Sequence, residues 1–276
     1  MIDTIGSSVT LQNGVEMPLF GLGVFQTSGG RQVRNVVSWA LEAGYRSIDT
    51  ATVYDNEAGV GQALKSSSVP REEIFVTTKV WNSSQRTGHT LQAFDASLRA
   101  MQMDYVDLYL VHWPVAGHHV QTWRDLETIY ESGRARAIGV SNFMVEHLQE
   151  LLPQTRITPM VNQVEFHPYL QSPELLTLCQ EAGIQVEAWA PIMKGRVTKV
   201  EELCSLGHKY GKTAVQVTLR WLLQRGIVAI PKSRKKQRII ENADIFDFQL
   251  TAEDMAVIDN LDRGQRIGPS PYTFKF

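Results

Sequence analysis

Eight short apolar segments recur along this chain of 276 residues, and helical patterns separate them. They have the length and the β-branched or aromatic content of buried strands, and they cover residues 19–23, 46–49, 74–79, 106–112, 135–141, 160–166, 184–191 and 227–232. After the first segment, Val36, Val37, Ala40 and Leu41 mark one face of a helix, and Gly44 follows as a stop signal. Eight alternating units predict an α/β fold, a closed (β/α)₈ TIM barrel of parallel strands.

A doubly wound open sheet uses the same alternation and is the alternative architecture. Its dinucleotide fingerprint, GxGxxG after the first strand, is missing, because Gly21 and Gly23 supply only half of it. The barrel is therefore favoured. Residues 9–17 show two short alternating runs around Asn13-Gly14, the strongest short-range hairpin signal. We expect this N-terminal β-hairpin to close the bottom of the barrel.

Composition favours a single domain over residues 1–276, since no linker or compositional boundary interrupts the chain. The net charge of −2 argues against nucleic acid or an anionic membrane as a partner. The N-terminus lacks the pattern of a signal peptide, and no apolar run is long enough to span a membrane. The two cysteines, Cys179 and Cys204, lack metal-ligand spacing, so we expect a reduced cytoplasmic protein with no metal site and no disulfide.

Four ionisable side chains follow three successive predicted strands. Asp49 and Tyr54 follow the second strand, Lys79 the third and His112 the fourth. In a parallel barrel these positions meet at the C-terminal rim, where such folds carry their chemistry. We expect Asp49 and Lys79 to pair, and the ammonium to stabilise the Tyr54 phenolate, so that the pKa of the phenol falls below about 10. Tyr54 would then donate a proton, while His112 donates a hydrogen bond to the same substrate oxygen.

Any one of these residues could be structural, as a buried ion pair, a satisfied histidine or a surface aromatic. Four at one rim favour a catalytic site. The other strand ends add polar and aromatic groups, which are Trp81, Trp113, Ser141, Asn142, Gln163, Trp189, Lys232 and Ser233. The basic run of residues 232–238 could be a solvated helix start. Because it follows the last strand and opens a helix, it could equally bind an anion through backbone N–H groups and cations.

Several long segments resemble those of the aldo-keto reductase family, in the same order. They are GYRSIDTATVYDNE, VTTKVWN, DLYLVHWP, AIGVSNF, MVNQVEFHP and IPKSRKKQRIIENADIFDFQLT. The resemblance runs from the NGVEMPLFGLG start to RIGPSP near the C-terminus, almost the whole chain. It implies a (β/α)₈ barrel that binds NADPH in extended form without a Rossmann motif and reduces carbonyl compounds.

The resemblance also implies residue roles. Tyr54 would be the general acid, assisted by Lys79 and Asp49, with His112 positioning the carbonyl. The remaining assignments are Ser141, Asn142 and Gln163 for the nicotinamide carboxamide, Trp189 for stacking on the nicotinamide, Lys232, Ser233, Arg238 and more weakly Arg234 for the 2′-phosphate, Glu241 and Asn242 for the adenine, and Phe25, Trp81, His112 and Trp113 for the substrate.

The chain departs from the family pattern at a few places. Ala190 replaces a serine, and Arg86 stands in an altered stretch, where it could bring positive charge toward the pocket. The loops after His112 and Trp189 are short, which resembles microbial and protozoan members that reduce 2-oxoaldehydes, diketo sugar acids or prostaglandin H2. The short loops predict an open cleft that accepts a broad range of aldehydes, 2-oxoaldehydes and keto sugars, and the resemblance implies a monomer. His118-His119 lacks a third ligand and is expected to be solvated surface.

Two other functions stay open. Lys79 could be the nucleophile of a Schiff-base lyase or aldolase, since barrel lysines at strand ends do this. Pairing with Asp49 argues against it, because it raises the lysine pKa. A cofactor-binding regulatory barrel with vestigial catalysis is the second alternative, and the complete set of four ionisable residues argues against that one.

Overall fold

The computed structural model describes residues 2–274 and contains a closed parallel β-barrel. A two-stranded hairpin precedes it, so the barrel strands are β3 to β10. They are β3 (Leu22–Gly23), β4 (Ser47–Asp49), β5 (Phe75–Val80), β6 (Val106–Val111), β7 (Ala135–Ser141), β8 (Val161–Glu165), β9 (Gln185–Trp189) and β10 (Val228–Ala229). Each pairs in parallel with the next. A parallel bridge between Phe20 and Ala229 joins the first strand to the last. The predicted barrel is confirmed.

Helices surround the barrel, as the alternating pattern predicted. They are α1 (Arg31–Glu42), α2 (Glu57–Lys65), α3 (Asn82–Arg86), α4 (Thr90–Met101), α5 (His119–Glu131), α6 (Val145–Leu151), α7 (Pro173–Glu181), α8 (Glu201–Tyr210), α9 (Ala214–Gln224), α10 (Lys236–Ala243) and α11 (Ala252–Asp259). The four apolar residues that marked a helix face in the sequence are all buried in α1. Burial of one face against the strands stabilises each helix more than its intrinsic propensity does.

The barrel strands are buried on both faces, which explains their nearly continuous apolar sequence. Gly21 lies close to the start of the neighbouring strand β4. A Cβ atom built there would lie 2.7 Å from Ser47 Oγ and 2.8 Å from Ser47 Cβ. A side chain at this position would therefore push the two strand segments apart.

The N-terminal hairpin consists of β1 (Ser8–Thr10) and β2 (Glu16–Pro18), paired antiparallel. Its turn lies against the start of β7 and against the segment that leads into β8. Asn13 Nδ2 donates to Arg136 O at 2.9 Å, and Gln12 Nε2 donates to the carbonyl oxygen of Thr158 at 3.0 Å. The hairpin therefore covers the N-terminal end of the barrel, as expected.

Between residues 2 and 274, no helix has the length and apolar character needed to cross a bilayer. Cys179 in α7 is buried, Cys204 in α8 is partly buried, and both carry free thiols. Burial raises the pKa of the Cys179 thiol to about 11, so that thiol is unreactive at neutral pH.

Candidate active site

A cavity of about 1050 Å³ opens at the C-terminal ends of the barrel strands. It lies where parallel barrels place their active sites. All the site residues predicted from the sequence except Lys79 line it: Phe25, Asp49, Tyr54, Trp81, His112, Trp113, Ser141, Asn142, Gln163, Trp189, Lys232, Ser233, Arg234, Arg238, Glu241 and Asn242. The structure thus brings the predicted residues together around one space.

Lys79 lies beneath the cavity floor, fully buried, and forms the expected ion pair with Asp49. The strands β4 and β5 are neighbours, which places the two side chains side by side. Lys79 Nζ is 2.7 Å from both Asp49 oxygens and 2.8 Å from the carbonyl oxygen of Thr50. Burial lowers the pKa of Lys79, but the charges of Asp49, Tyr54 and Glu187 outweigh it, so the net shift is upward. Lys79 is therefore a permanent cation.

Tyr54 ends a short 3₁₀ turn (Thr52–Tyr54) directly after β4. Lys79 Nζ lies 5.2 Å from the centre of its ring. The expected lowering of its pKa is wrong. Burial raises the pKa of Tyr54 to about 12, and the lowering effect of Lys79 is opposed by Asp49. The phenol is therefore fully protonated at neutral pH.

His112 follows β6 and stands between two aromatic rings. Its ring centroid lies 5.7 Å from that of Tyr54 and 5.1 Å from that of Trp81. Burial, and then the charge of Lys79, hold the pKa of His112 well below its ordinary value. The imidazole is therefore neutral at pH 7, with one donor and one acceptor nitrogen.

A second group consists of Ser141 at the end of β7, Asn142 directly after it and Gln163 in the middle of β8. Ser141 Oγ donates to the backbone carbonyl oxygen of Gln163 at 2.8 Å. Asn142 adopts a left-handed conformation with φ of 64°, which turns its side chain back toward the strand ends. Its Nδ2 donates to His112 O at 2.9 Å, and its Oδ1 accepts from Trp189 Nε1 at 2.8 Å. Asn142 thus fixes the indole of Trp189 relative to the His112 backbone.

Glu187 is a site residue that the sequence did not reveal. It lies on β9, fully buried, and accepts a hydrogen bond from Gln163 Nε2 at 2.7 Å. The same nitrogen donates to Asp49 Oδ2 at 2.8 Å. Burial, and then the Asp49 carboxylate, raise the pKa of Glu187 to about 8. The signal available in the sequence was a lone acid in the apolar segment before Trp189.

The far end of the cavity is basic. Among residues 2–274, no acidic side chain forms an ion pair with any of Lys232, Arg234, Lys235 or Arg238. Burial, and then Arg234, lower the pKa of Lys232, as expected for a cation without a counter-charge. The expectation that Lys232 and Ser233 open a helix is wrong, because α10 begins only at Lys236. They lie in the connecting loop, where unpaired cations favour a bound anion.

A second feature missed by the sequence is the segment after α11. The buried carboxylate of Glu165 accepts hydrogen bonds from the backbone N–H of Ile267 at 2.6 Å and of Gly268 at 3.1 Å. Gly268 lies directly against the indole of Trp189. Phe274 packs on Trp113 with ring centroids 4.5 Å apart. Because 102 residues separate Glu165 from Ile267, no local pattern indicated this contact.

Two other expectations are wrong. Arg86 is exposed on α3 and does not line the cavity. His119 is buried and not solvated: its Nδ1 lies 3.1 Å from Val115 O, and its ring packs edge-on against Phe143. Within residues 2–274 no group of three acidic, histidine or cysteine side chains has the geometry to hold a metal ion.

A sequence model described as the Aldo/keto reductase family matches residues 20–263. Glyoxal reductase of Bacillus subtilis is 54% identical over 271 residues, which cover 98% of each chain. The crystal structure of an aldo-keto reductase enzyme from a Medee basin deep-sea metagenome library superimposes with a TM-score of 0.95 at 46% identity, covering 98% of this chain and 100% of that one. A Bombyx mori aldo-keto reductase, solved in complex with NADP, gives a TM-score of 0.89 at 36% identity, with coverage of 96% and 95%. Matched over most of its length by the family model and by relatives of this similarity, the chain belongs to the aldo/keto reductase family.

Proposed function

We propose that this protein reduces aldehydes and ketones to alcohols with NADPH, and that Tyr54 is the general acid. The observation that carries the proposal is the position of Tyr54, at the cavity wall and next to the buried Lys79–Asp49 pair. Reduction of a carbonyl group leaves negative charge on its oxygen, which must receive a proton. The phenol holds such a proton at neutral pH, because burial raises the pKa of Tyr54 to about 12.

Lys79 supports this step through its charge. A phenolate formed at Tyr54 would lie beside the ammonium group, which favours the loss of the proton once the substrate oxygen becomes basic. Lys79 does not compete as the acid, since its pKa is raised. Neutral His112 donates one hydrogen bond to the carbonyl oxygen and orients it.

The cavity residues fit NADPH. The volume of about 1050 Å³ slightly exceeds the ordinary range for small-ligand sites, roughly 300–1,000 Å³, which leaves room for a dinucleotide and a substrate. The unpaired cations at the far end suit a phosphate. We assign Lys232, Ser233, Arg234 and Arg238 to the 2′-phosphate, Glu241 and Asn242 to the adenine, Ser141, Asn142 and Gln163 to the carboxamide, and Trp189 to the nicotinamide face. When bound, NADPH supplies the two electrons and the hydrogen that the carbonyl carbon receives.

We further propose 2-oxoaldehydes, aromatic and aliphatic aldehydes, and keto sugars as substrates. Phe25, Trp81 and Trp113 line the same cavity as Tyr54, and their rings suit small carbonyl compounds of low charge. The relative named glyoxal reductase supports the 2-oxoaldehyde class. A monomer with one domain over residues 1–276, located in the cytoplasm, completes the proposal.

A Schiff-base mechanism is disfavoured by the surroundings of Lys79. A nucleophilic lysine must be neutral and accessible, but Lys79 is fully buried and its net pKa shift is upward. Borohydride trapping of a Lys79 adduct without NADPH consumption would support that alternative.

The test is NADPH oxidation with glyoxal, methylglyoxal, benzaldehyde and keto sugars, for the wild type and Tyr54→Phe. We expect the variant to lose about 10²- to 10⁴-fold in kcat, the usual contribution of a general acid, while it still binds NADPH. Tyr105→Phe is the control, because Tyr105 directly precedes β6 and so lies at the N-terminal end of a barrel strand, away from the cavity at the C-terminal ends. Equal rates for Tyr54→Phe and the wild type would refute Tyr54 as the acid. NADPH binding without turnover of any carbonyl would instead indicate a regulatory barrel.

A further inference from the structure

Glu187 is a buried carboxyl group that the proposed mechanism leaves without a role. The register of β8 and β9 pairs it with Gln163, and the register of β9 and β10 pairs it with Val228. Trp189, two residues further along, already lines the cavity. Glu187 therefore lies one layer below the cavity floor.

The amide of Gln163 connects this layer to the cavity. Its Nε2 donates to Asp49 Oδ2 at 2.8 Å and to Glu187 Oε2 at 2.7 Å. A primary amide has two N–H hydrogens, so both are committed. Because Gln163 lines the cavity, its side-chain oxygen Oε1 is the amide atom left to face a ligand, and this oxygen can only accept a hydrogen bond.

The charged and titratable groups around Glu187 are Asp49 on β4, Tyr54 in the turn after β4 and Lys79 on β5. Lys79 is already paired with Asp49. Glu187 Oε1 is buried and has no hydrogen-bond partner among residues 2–274. A buried carboxylate with a bare oxygen is far less favourable than a neutral carboxyl group. The Glu187 side chain thus acts as a neutral acceptor for one amide hydrogen.

We propose that Glu187 is a positioning residue for cofactor binding. It holds the side-chain amide of Gln163 so that the Oε1 atom of that amide faces the cavity. This rests on the proposed function, in which Gln163 binds the nicotinamide carboxamide. Without Glu187, the amide has one unpaired hydrogen and can rotate, presenting N–H groups where the ligand also presents N–H groups. The Asp49 hydrogen bond alone does not fix both ends of the amide.

The experiment measures NADPH dissociation constants by fluorescence for the wild type, E187Q, E187L, Q163L and the double variant E187L/Q163L. E187Q keeps an acceptor oxygen in the same place, so we expect affinity within about twofold of the wild type. E187L fills the space without an acceptor, and we expect about tenfold weaker binding, with kcat at saturating NADPH nearly unchanged. In the Q163L background, the Glu187→Leu change should have no further effect.

The outcomes separate the two proposals. A wild type that does not bind NADPH contradicts the proposed function before any variant is compared. NADPH binding that E187L weakens equally with and without Gln163 shows a general loosening of the barrel and overturns the inference, as does unchanged affinity in E187L. If E187L does not fold, E187M replaces it, because its thioether is at most a weak acceptor for the Gln163 amide hydrogen; affinity unchanged from the wild type in E187M overturns the inference.

Discussion

Lys79 Nζ donates to both carboxylate oxygens of Asp49, each at 2.7 Å. Lys79 Nζ also donates to the carbonyl oxygen of Thr50 at 2.8 Å. Burial raises the pKa of the Tyr54 phenol, and the charge of Lys79 and a hydrogen bond with its side chain oppose that rise. Lys79 therefore acts directly on the phenol, and Asp49 keeps the ammonium in place.

The Lys79–Asp49 pair predicts that stability and activity can be separated by removing one or both of its charges. Lys79→Met leaves the buried Asp49 carboxylate without a cation, and we expect the protein to lose about 3–5 kcal/mol of unfolding free energy. The double variant Lys79→Met/Asp49→Asn removes the uncompensated charge and should recover most of that stability. Both should lose at least about 10²-fold in kcat, because the phenolate of Tyr54 is no longer stabilised. Denaturant unfolding and NADPH oxidation measure the two effects, and an active double variant would contradict the role of Lys79.

The conformation and contacts of Asn142 predict that its side chain controls NADPH affinity and its backbone conformation affects stability. Its φ of 64° lies in the left-handed region, and its side chain bonds both Trp189 Nε1 and His112 O. Asn142→Gly keeps the left-handed backbone conformation but loses the two side-chain hydrogen bonds. Asn142→Ala loses the same hydrogen bonds and also disfavours the left-handed conformation. We expect equal losses of NADPH affinity, about tenfold, but lower stability for Ala than for Gly by about 1 kcal/mol. Different affinities for the two variants would show that the backbone, and not the side chain, holds Trp189.

Many of the site residues could be predicted from the sequence, because the end of each barrel strand is marked by the change from apolar to polar residues. Asp49 and Lys79 were found in this way, together with their pairing. The direction of the Tyr54 pKa shift was wrong, since it depends on the balance between burial and two opposite charges. That balance requires the depth of the phenol and its distances to Lys79 and Asp49, which no sequence pattern contains.

Other features depend on contacts between distant parts of the chain. In the sequence Glu187 is a single acidic residue in an apolar strand, and only the register of β8 and β9 shows that Gln163 is its partner. Glu165 lies 102 residues before the Ile267 N–H group that it holds. His119 was expected at the surface, but the start of α5 packs it against Phe143. Strand register and the docking of loops are set by tertiary packing, so local spacing cannot reveal them.

The basic end of the cavity predicts a preference for the phosphorylated cofactor. Lys232→Ala and Arg238→Ala should each weaken NADPH binding about tenfold and leave NADH binding nearly unchanged, because only NADPH carries the additional phosphate. Lys236→Ala is the matched control, since Lys236 pairs with Glu42 at 2.9 Å and does not line the cavity. Titration of both cofactors at two salt concentrations measures the effect. Parallel losses for NADPH and NADH would refute the assignment.

Gly268 predicts that the segment after α11 controls the position of Trp189. A Cβ atom there would lie 2.3 Å from the indole and 3.2 Å from Glu165 Oε2, so either the ring or the segment must move. We expect Gly268→Ala to raise the KM for NADPH severalfold with little change in global stability, because the contact is at the cavity rim. Gly6→Ala is the control, since its nearest contact would be an ordinary 3.7 Å in the region of the hairpin. Equal KM values for both variants would show that Trp189 adjusts freely.

Glu187 predicts a specific pH dependence of stability. Burial, and then Asp49, raise its pKa from the ordinary value of 4.5 to about 8 in the folded protein. Between these values the folded state holds a proton that the unfolded state has lost, so the free energy of unfolding decreases as the pH rises. For this group the decrease is at most about 1.4 kcal/mol per pH unit, and it ends near pH 8. E187Q does not titrate, so the stability of the wild type relative to E187Q should fall across this window in urea unfolding experiments. Glu72→Gln, which changes an exposed carboxyl group, should show the wild-type slope. If the wild type and E187Q have the same slope, Glu187 is ionised in the folded protein throughout that window, and the neutral carboxyl assigned to it is wrong.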